Sequence, residues 1–538
     1  MAYEANRTGT PSKGWDEKHA ERVLKGYARA KTRRQPWEGV INEIYDYTMP
    51  NRAHFHEVFP AQRRTDFIFD ETAVVSVPEF ASRIQQGSMP SWQRWLRLEP
   101  GREVNEDRNV VQANLDEVTD AVFAELNSSN FATEVHESLQ DLAVGTCNLL
   151  MEDGGKENTF KFTSVPQNQV YILNGPFGMI DRIYRMRRIE AQHVGVVWRD
   201  ATLTPEIRDV QKNKPEQELT FIEAVERDYT AVDDERWTYC VIDEKRKHTL
   251  VKLIFKGQGS SPWINGRWSR LGGEDYGRGP LFNAMPAIKT CNLTVQLILE
   301  NAQMAIAGIY TAPDDGVLNP DNLEIVPGAI IPHAPGNEGL KAVQSHARFD
   351  VAQLVLEDQR HNIKKALYNE TLGPREGTPP SATEVAERMA DLFRQMGSPL
   401  QRVFLEIALP VFTRATYIMR ERGMIELPRI DGKLIKPRFV SPLARAQQSE
   451  DFASAARFLQ TVAGLMGPDV IKSVVKTQET VSYLADLNDF PARLVSTKQE
   501  VEQIAANMAE ASKGMIEAGA SPDNVVNMAG KMAGGGAR

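Results

Sequence analysis

In this 538-residue chain the turn Gly272-Gly273-Glu274-Asp275-Tyr276-Gly277-Arg278-Gly279-Pro280 comes nearest to a nucleotide-binding loop. Such a loop needs a Lys to reach the β- and γ-phosphates and a Ser or Thr hydroxyl for Mg²⁺, and neither is present. The stretch reads instead as a tight turn that starts a helix. His54-Phe55-His56-Glu57 would set two imidazoles on one face of a strand, half of a metal site. No second pair with ligand spacing stands among the nine His, so a surface or core role is expected. His-Glu-x-x-His, Cys-x-x-Cys and a nucleophile elbow are absent. Glu384/Glu387 and Asp233/Asp234 read as solvated faces. No catalysis, cofactor or metal is expected. What remains is basic: Lys341, Arg348, Arg360, His361, Lys364, Lys365 and Arg375. Arg360 and Lys364 are four apart and share one helix face. Pattern alone favours an ordinary salt-bridged surface.

The length implies three or four domains or one large elongated one. With 41% hydrophobic and 25% charged residues the composition is that of a folded soluble protein. No apolar run reaches membrane-spanning length, and Met1 to Gly14 lacks the apolar core of a secretory signal. Cys147, Cys240 and Cys291 are far apart in apolar or β-like runs, as buried reduced thiols would be. A net charge of −9 argues against a dedicated high-affinity DNA binder, which carries a basic footprint. It leaves room for a surface that DNA slides past.

Apolar spacing predicts helices over 15–48, 73–86, 107–127 and 131–142, with Trp92 and Trp95 between them as packing anchors. The period then changes to that of strands, at 143–151, 160–165, 169–173, 179–188, 219–229, 236–241 and 249–255, joined as antiparallel hairpins. Leu281 to Ile309 is mostly apolar with only Lys289 and Glu300 charged. It is expected to pack along neighbouring helices over its whole length. Tyr310 to His346, rich in Pro and Gly, cannot be helical throughout. The helical period resumes over 349–369, a turn-rich loop covers 370–380, and Ser381-Ala382-Thr383-Glu384 fits a capping box for a long helix to Arg422. Gly397-Ser398-Pro399 and Pro410 must interrupt or bend it. Further helices are expected at 441–466, 468–476 and 496–519, before a Gly/Ala/Met-rich end.

Several pieces stand in a familiar order: Tyr47-Thr48-Met49-Pro50, the Pro90 to Leu98 segment, Val144-Gly145-Thr146-Cys147-Asn148-Leu149-Leu150, Gly178-Met179-Ile180, Gly273-Glu274-Asp275-Tyr276-Gly277-Arg278 and Ser381-Ala382-Thr383-Glu384-Val385. Together they resemble the portal, or head-to-tail connector, proteins of tailed bacteriophages, most closely the podophage type. The resemblance implies an α+β, predominantly α-helical portal fold with wing, stem, clip and helical crown. Residues 1–280 would be the wing, 281–309 the first stem helix, 310–348 the clip and 349–369 the second stem helix. Residues 370–380 would be the channel loop, 381–440 a kinked helix returning to the wing, and 441–538 the crown with a flexible tail.

It also implies a ring of about twelve copies at one capsid vertex of the virion, assembled in the host cytoplasm. Such a ring nucleates the head with capsid and scaffolding proteins, docks the terminase large subunit, passes double-stranded DNA during packaging and ejection, and anchors a tail adaptor. No membrane partner is implied. Arg360, Lys364, Lys365 and Arg375 would line the channel. The loop sets Arg375 against Glu370 and Glu376, so a mostly repulsive wall with sparse basic rings is expected, which keeps DNA centred and mobile. The rival readings are an unrelated oligomeric virion scaffold or adaptor without a channel, and a nucleic-acid-processing enzyme.

Overall fold

The fold is seen in a computed structural model, which describes residues 10–11, 17–52, 64–101, 108–230, 235–307, 310–311, 341–342, 349–369, 396–427, 430, 434–440 and 454–462, with isolated helical positions at 464, 480–481, 483–484 and 503. The two imidazoles at 54 and 56, the capping box at 381–384, the turn-rich loop with Arg375, and most of 310–348 and of the chain after 440 lie outside the described residues. Among the expected later helices, 454–462 is helical.

The first layer is helical where the apolar spacing is 3.6: α1 (Glu17–Thr48), α2 (Thr72–Ser88), α3 (Arg108–Ser128) and α4 (Phe131–Val144). They share one core, in which the Trp95 ring meets Phe123 of α3 at 5.1 Å, Phe131 of α4 at 6.4 Å and Phe412 at 6.5 Å between centroids. Trp95 is the anchor expected of it, whereas Trp92 stands 69% exposed. The difference is one of position: Trp95 leads directly into a strand, and Trp92 lies in the turn before it.

The strands follow the period of two. A short β1 (Thr10–Pro11) and β2 (Leu96–Pro100) precede β3 (Thr146–Asp153), β4 (Phe160–Ser164), β5 (Val170–Asn174) and β6 (Ile180–Glu190). Two short helices, α5 (Val194–Val197) and α6 (Pro205–Asn213), separate β6 from β7 (Glu218–Arg227), β8 (Arg236–Asp243), β9 (His248–Lys256) and β10 (Trp263–Arg267). Strands β5 to β9 form the expected antiparallel meander, closed at the β9 edge by β1, so the six-stranded order is β1-β9-β8-β7-β6-β5. A second sheet, β10-β3-β4, is also antiparallel.

Side chains alternate across a strand, and both faces of the larger sheet are covered. Ile183, Phe221, Val225 and Val241 pack with Trp198 and Ile207 on one side. Tyr184, Ile222, Ala224, Cys240 and Ile242 meet Val23, Tyr27 and Ala30 of α1 on the other. Buried Arg34 of α1 fastens this arrangement: its Nη1 donates to the carbonyls of Gln167, Asn168 and Val170, and its guanidinium lies 3.5 Å from the Tyr171 ring centroid.

Past the sheets come α7 (Pro280–Ala307), the paired fragments β11 (Tyr310–Thr311) and β12 (Lys341–Ala342), and α8 (Phe349–Ala366). The chain is helical again from 396 through a π-helical turn, Phe404–Ala408, into α9 (Leu409–Glu421). Pro410 lacks an N–H and its ring would press on the carbonyl four residues back. A widened turn just ahead of it relieves that clash. Finally β13 (Ile435–Phe439) pairs antiparallel with β2. All three thiols are free and buried, and burial pushes Cys147 up to about 12.

Candidate functional site: the α7–α8 helix pair and its seat

The turn that resembled a nucleotide loop is the seat of α7. At its start Asp275 is buried and accepts from Arg33 Nη1 at 2.9 Å and from the Asn174 N–H at 2.9 Å. The Tyr276 hydroxyl, pushed up by burial, accepts from the Ile172 N–H at 3.3 Å. Then main chain meets main chain. The Gly279 N–H donates to the Val144 carbonyl at 2.8 Å, the Trp268 N–H to the Gly145 carbonyl at 2.9 Å, and the Gly277 N–H to Thr146 Oγ1 at 2.8 Å. Gly145 has φ +146°, and a Cβ there would collide with the Gly277 carbonyl. A Cβ on Gly279 would collide with the carbonyl of Ala143. These glycines are required by close backbone approach.

From this seat α7 is buried by its helical period: Leu281, Ala284, Met285, Ile288 and Cys291 are all in the core. Asn292 closes the buried half. Its Oδ1 accepts from the N–H groups of Phe69 at 2.6 Å and Asp70 at 3.2 Å, and its Nδ2 donates to the Phe67 carbonyl at 2.9 Å. From Leu293 to Gln303 no residue is buried. Leu293 is 54%, Leu297 49% and Leu299 53% exposed, although the helix stays apolar. Within one chain, full burial of α7 side chains thus covers its first half and is absent from Leu293 to Gln303. The helix α8 packs against α7. The antiparallel β11–β12 pair ties the end of α7 to the approach of α8, so the two helices run antiparallel. No described helix is long and apolar enough to cross a membrane.

On α8, Leu356 and Ile363, with Leu367 just past its end, face the core while Leu354 is 71% exposed. The end of the helix is sewn to α2. Tyr368 takes φ +57°, the Asn369 N–H reaches back to the Lys364 carbonyl at 2.7 Å, Arg83 Nη1 donates to the Tyr368 carbonyl at 2.7 Å, and Asn369 Nδ2 donates to the Ser76 carbonyl. This is a left-handed helix cap of the kind usually made by glycine.

The structure separates the basic candidates. Arg360 is held: its Nε and Nη2 donate to Asp70 Oδ2 at 2.8 and 2.6 Å, level with Asn292. Lys364 and Lys365 are exposed in the last turn of α8. Arg375 lies outside the described residues. Burial pushes the Asp70 carboxyl up, but the bonds from Thr72 and Arg360 outweigh it and leave it below the usual carboxylate range. Sequence reasoning missed this ion pair because its members are 290 positions apart.

Residues 20–495 match the family described as bacteriophage head to tail connecting protein. The chain belongs to that family. A relative of this connector, a probable portal protein of Bordetella phage BPP-1, is 26% identical over 473 residues, 84% of each chain. Among solved structures it is similar to a chain of the virion of a native gene transfer agent particle, at TM-score 0.37 and 13% identity over 76% of this chain and 91% of that one. It is also similar to one from the neck of an empty gene transfer agent particle, at 0.36 and 13% over 78% and 92%.

Two outcomes follow. Gly279→Ala should lower the urea stability of the connector by about 2 kcal/mol or more, since backbone must move; equilibrium unfolding with the Ala143→Gly variant as a control checks this. For Asp70, a folded-state pKa below the unfolded one means stabilisation present above about pH 4 and lost as pH falls further. Asp70→Asn should therefore melt earlier than wild type at pH 7, with the difference shrinking below about pH 4 in a Tm-versus-pH series.

Proposed function

We propose that this connector is a phage portal of the virion: a structural ring of about twelve copies through which double-stranded DNA is packaged and ejected. In this reading 1–280 form the wing, 281–309 and 349–369 the stem, 310–348 the clip, 370–380 the channel loop, 381–440 the helix returning to the wing, and 441–538 the crown. The ring would nucleate the head at one capsid vertex with capsid and scaffolding proteins, receive the terminase, and later hold the tail adaptor. It acts as a conduit and has no catalytic task.

The observation that carries the reading is the outer half of the α7–α8 pair. Leu293, Leu297 and Leu354 are about half exposed or more on helices anchored firmly at their inner ends. Large apolar side chains left exposed on a packed helix pair fit an interface, and sister copies standing side by side would cover them. Family membership and the relative named a probable portal protein support the same conclusion.

Charge supports the conduit. Lys364 and Lys365 sit exposed at the end of α8 that continues into the proposed channel loop, and symmetry turns each into a ring of charge. We assign Arg360, Lys364, Lys365 and Arg375 to the channel, with Arg360 also bracing the stem through Asp70. Few cations in an acidic chain suit passage, because a wall that gripped phosphate strongly would stall DNA.

The purified full chain should sediment as a ring of about twelve copies. Leu297→Asp combined with Leu354→Asp should leave folded monomers with unchanged circular dichroism; a wild type that stays monomeric at high concentration in analytical ultracentrifugation would refute the ring. Replacing Lys364, Lys365 and Arg375 together by Ala should leave the ring intact and reduce packaged or retained DNA per particle. Unchanged packaging and retention would remove these residues from the channel.

A further inference from the structure

Away from the helix pair, a cavity of about 150 Å³ lies where the β10-β3-β4 sheet, the β6–β9 part of the larger sheet and α9 come together. It has room for more than a single water. Its charged lining is Lys161, Arg185, Arg187 and Arg414 against Glu152, Asp153 and Glu223, four positive groups less three negative, a surplus of one.

Two of the three carboxylates have arginine partners. Asp153 is held by Arg422. Glu223 accepts from Arg187 Nη1 at 3.3 Å and lies 4.0 Å from Arg185. Glu152 has a cross-strand neighbour in Lys161.

Arg414 differs from all of these. It is 3% exposed, and its Nε and Nη1 donate to the carbonyls of Met151 at 3.3 Å and Ser260 at 2.7 Å. The rings of Tyr417 and Phe255 lie 5.1 and 5.9 Å from its guanidinium carbon. Among the described residues no carboxylate comes within ion-pair distance of it, and Nη2 has no partner. Burying a cation without a directly bonded counter-charge is costly, and the nearby carboxylates, carbonyls and rings offset only part of that cost. Burial lowers its pKa to about 10, against the pull of Tyr417, Glu152 and Asp153.

We propose that this cavity binds a small free oxyanion, a phosphate or a dicarboxylate, with Arg414 as the primary contact. A guanidinium presents donors in a fork matched to such oxygens. Arg187 and Lys161 supply the second positive side, and Tyr239 and Trp263 form an aromatic wall. The bound anion ties α9 to both sheets. The site is independent of the channel reading.

The test uses the full chain purified without phosphate, titrated calorimetrically with sodium phosphate, with sodium malonate, and with sodium chloride at matched ionic strength. Saturable binding of phosphate or malonate, absent with chloride, is expected, and whichever binds more tightly identifies the natural class. Arg414→Met should weaken it at least about tenfold. Thr163→Phe, which fills the cavity and leaves the buried cation in place, should do the same and decides the matter if the Arg414 variant fails to fold. Failure of both anions to saturate, a response shared with chloride, or wild-type affinity in the folded variants would overturn the site.

Discussion

Main chain pressed against main chain, where Gly145 meets the turn at Gly277 to Gly279, is the contact on which the rest of this connector depends. It joins the end of α4 and the start of β3 to the first residue of α7, so the helical layer, the smaller sheet and the helix pair share one corner. Side chains could not make that joint, because they would hold the backbones several ångströms apart. The neighbouring partners reinforce it: Arg267, buried at the end of β10, reaches Glu406 in the π-helical turn at 3.0 Å and Asn174 at the end of β5 at 2.8 Å.

Arginine serves throughout as the tie between layers. Arg34 binds α1 to three carbonyls from Gln167 to the first residue of β5, Arg52 closes a bidentate pair with buried Asp141 at 2.7 and 2.9 Å, and Arg360 braces α8 against the start of α2. A planar fork of five donors satisfies several acceptors at once in a fixed geometry, which the rotating ammonium of a lysine does not offer. In a chain of net charge −9, many of the cations are thus internal fasteners, and the few left exposed on α8 gain significance by contrast.

Most of this architecture was legible in the residue pattern. The helices α1 to α4, α7 and α8 and the meander β5 to β9 follow from apolar periodicity, which repeats at 3.6 residues along the helices and at two along the strands. The strand β2 did not, since Arg97 and Glu99 break its apolar run and its partner β13 lies more than three hundred residues later. Pairing over such a distance leaves no local trace. The strand β10 was missed because Asn265 and Gly266 dilute its signal, though Gly266 is there because a Cβ would strike Ile407 and Cys147. Of the channel candidates, the sequence distinguished basic from acidic positions but not held from exposed ones. That distinction rests on Asp70, remote in the chain and adjacent in space.

The division of α7 at Asn292 makes the helix a cantilever. Its 28 residues give a rod of about 42 Å at the helical rise, gripped by the core over its first half and, from Leu293 to Gln303, without a buried residue although α8 lies against it. A helix is stiff on this scale, so a sideways load at the free end cannot be absorbed there and must arrive as torque on the clamp. In this molecule the clamp is the glycine corner, where the smaller sheet meets the helical layer, and the Arg360–Asp70 brace against the start of α2. Whatever pushes on the tip is felt at the root, some tens of ångströms away, without any residue between having to rearrange.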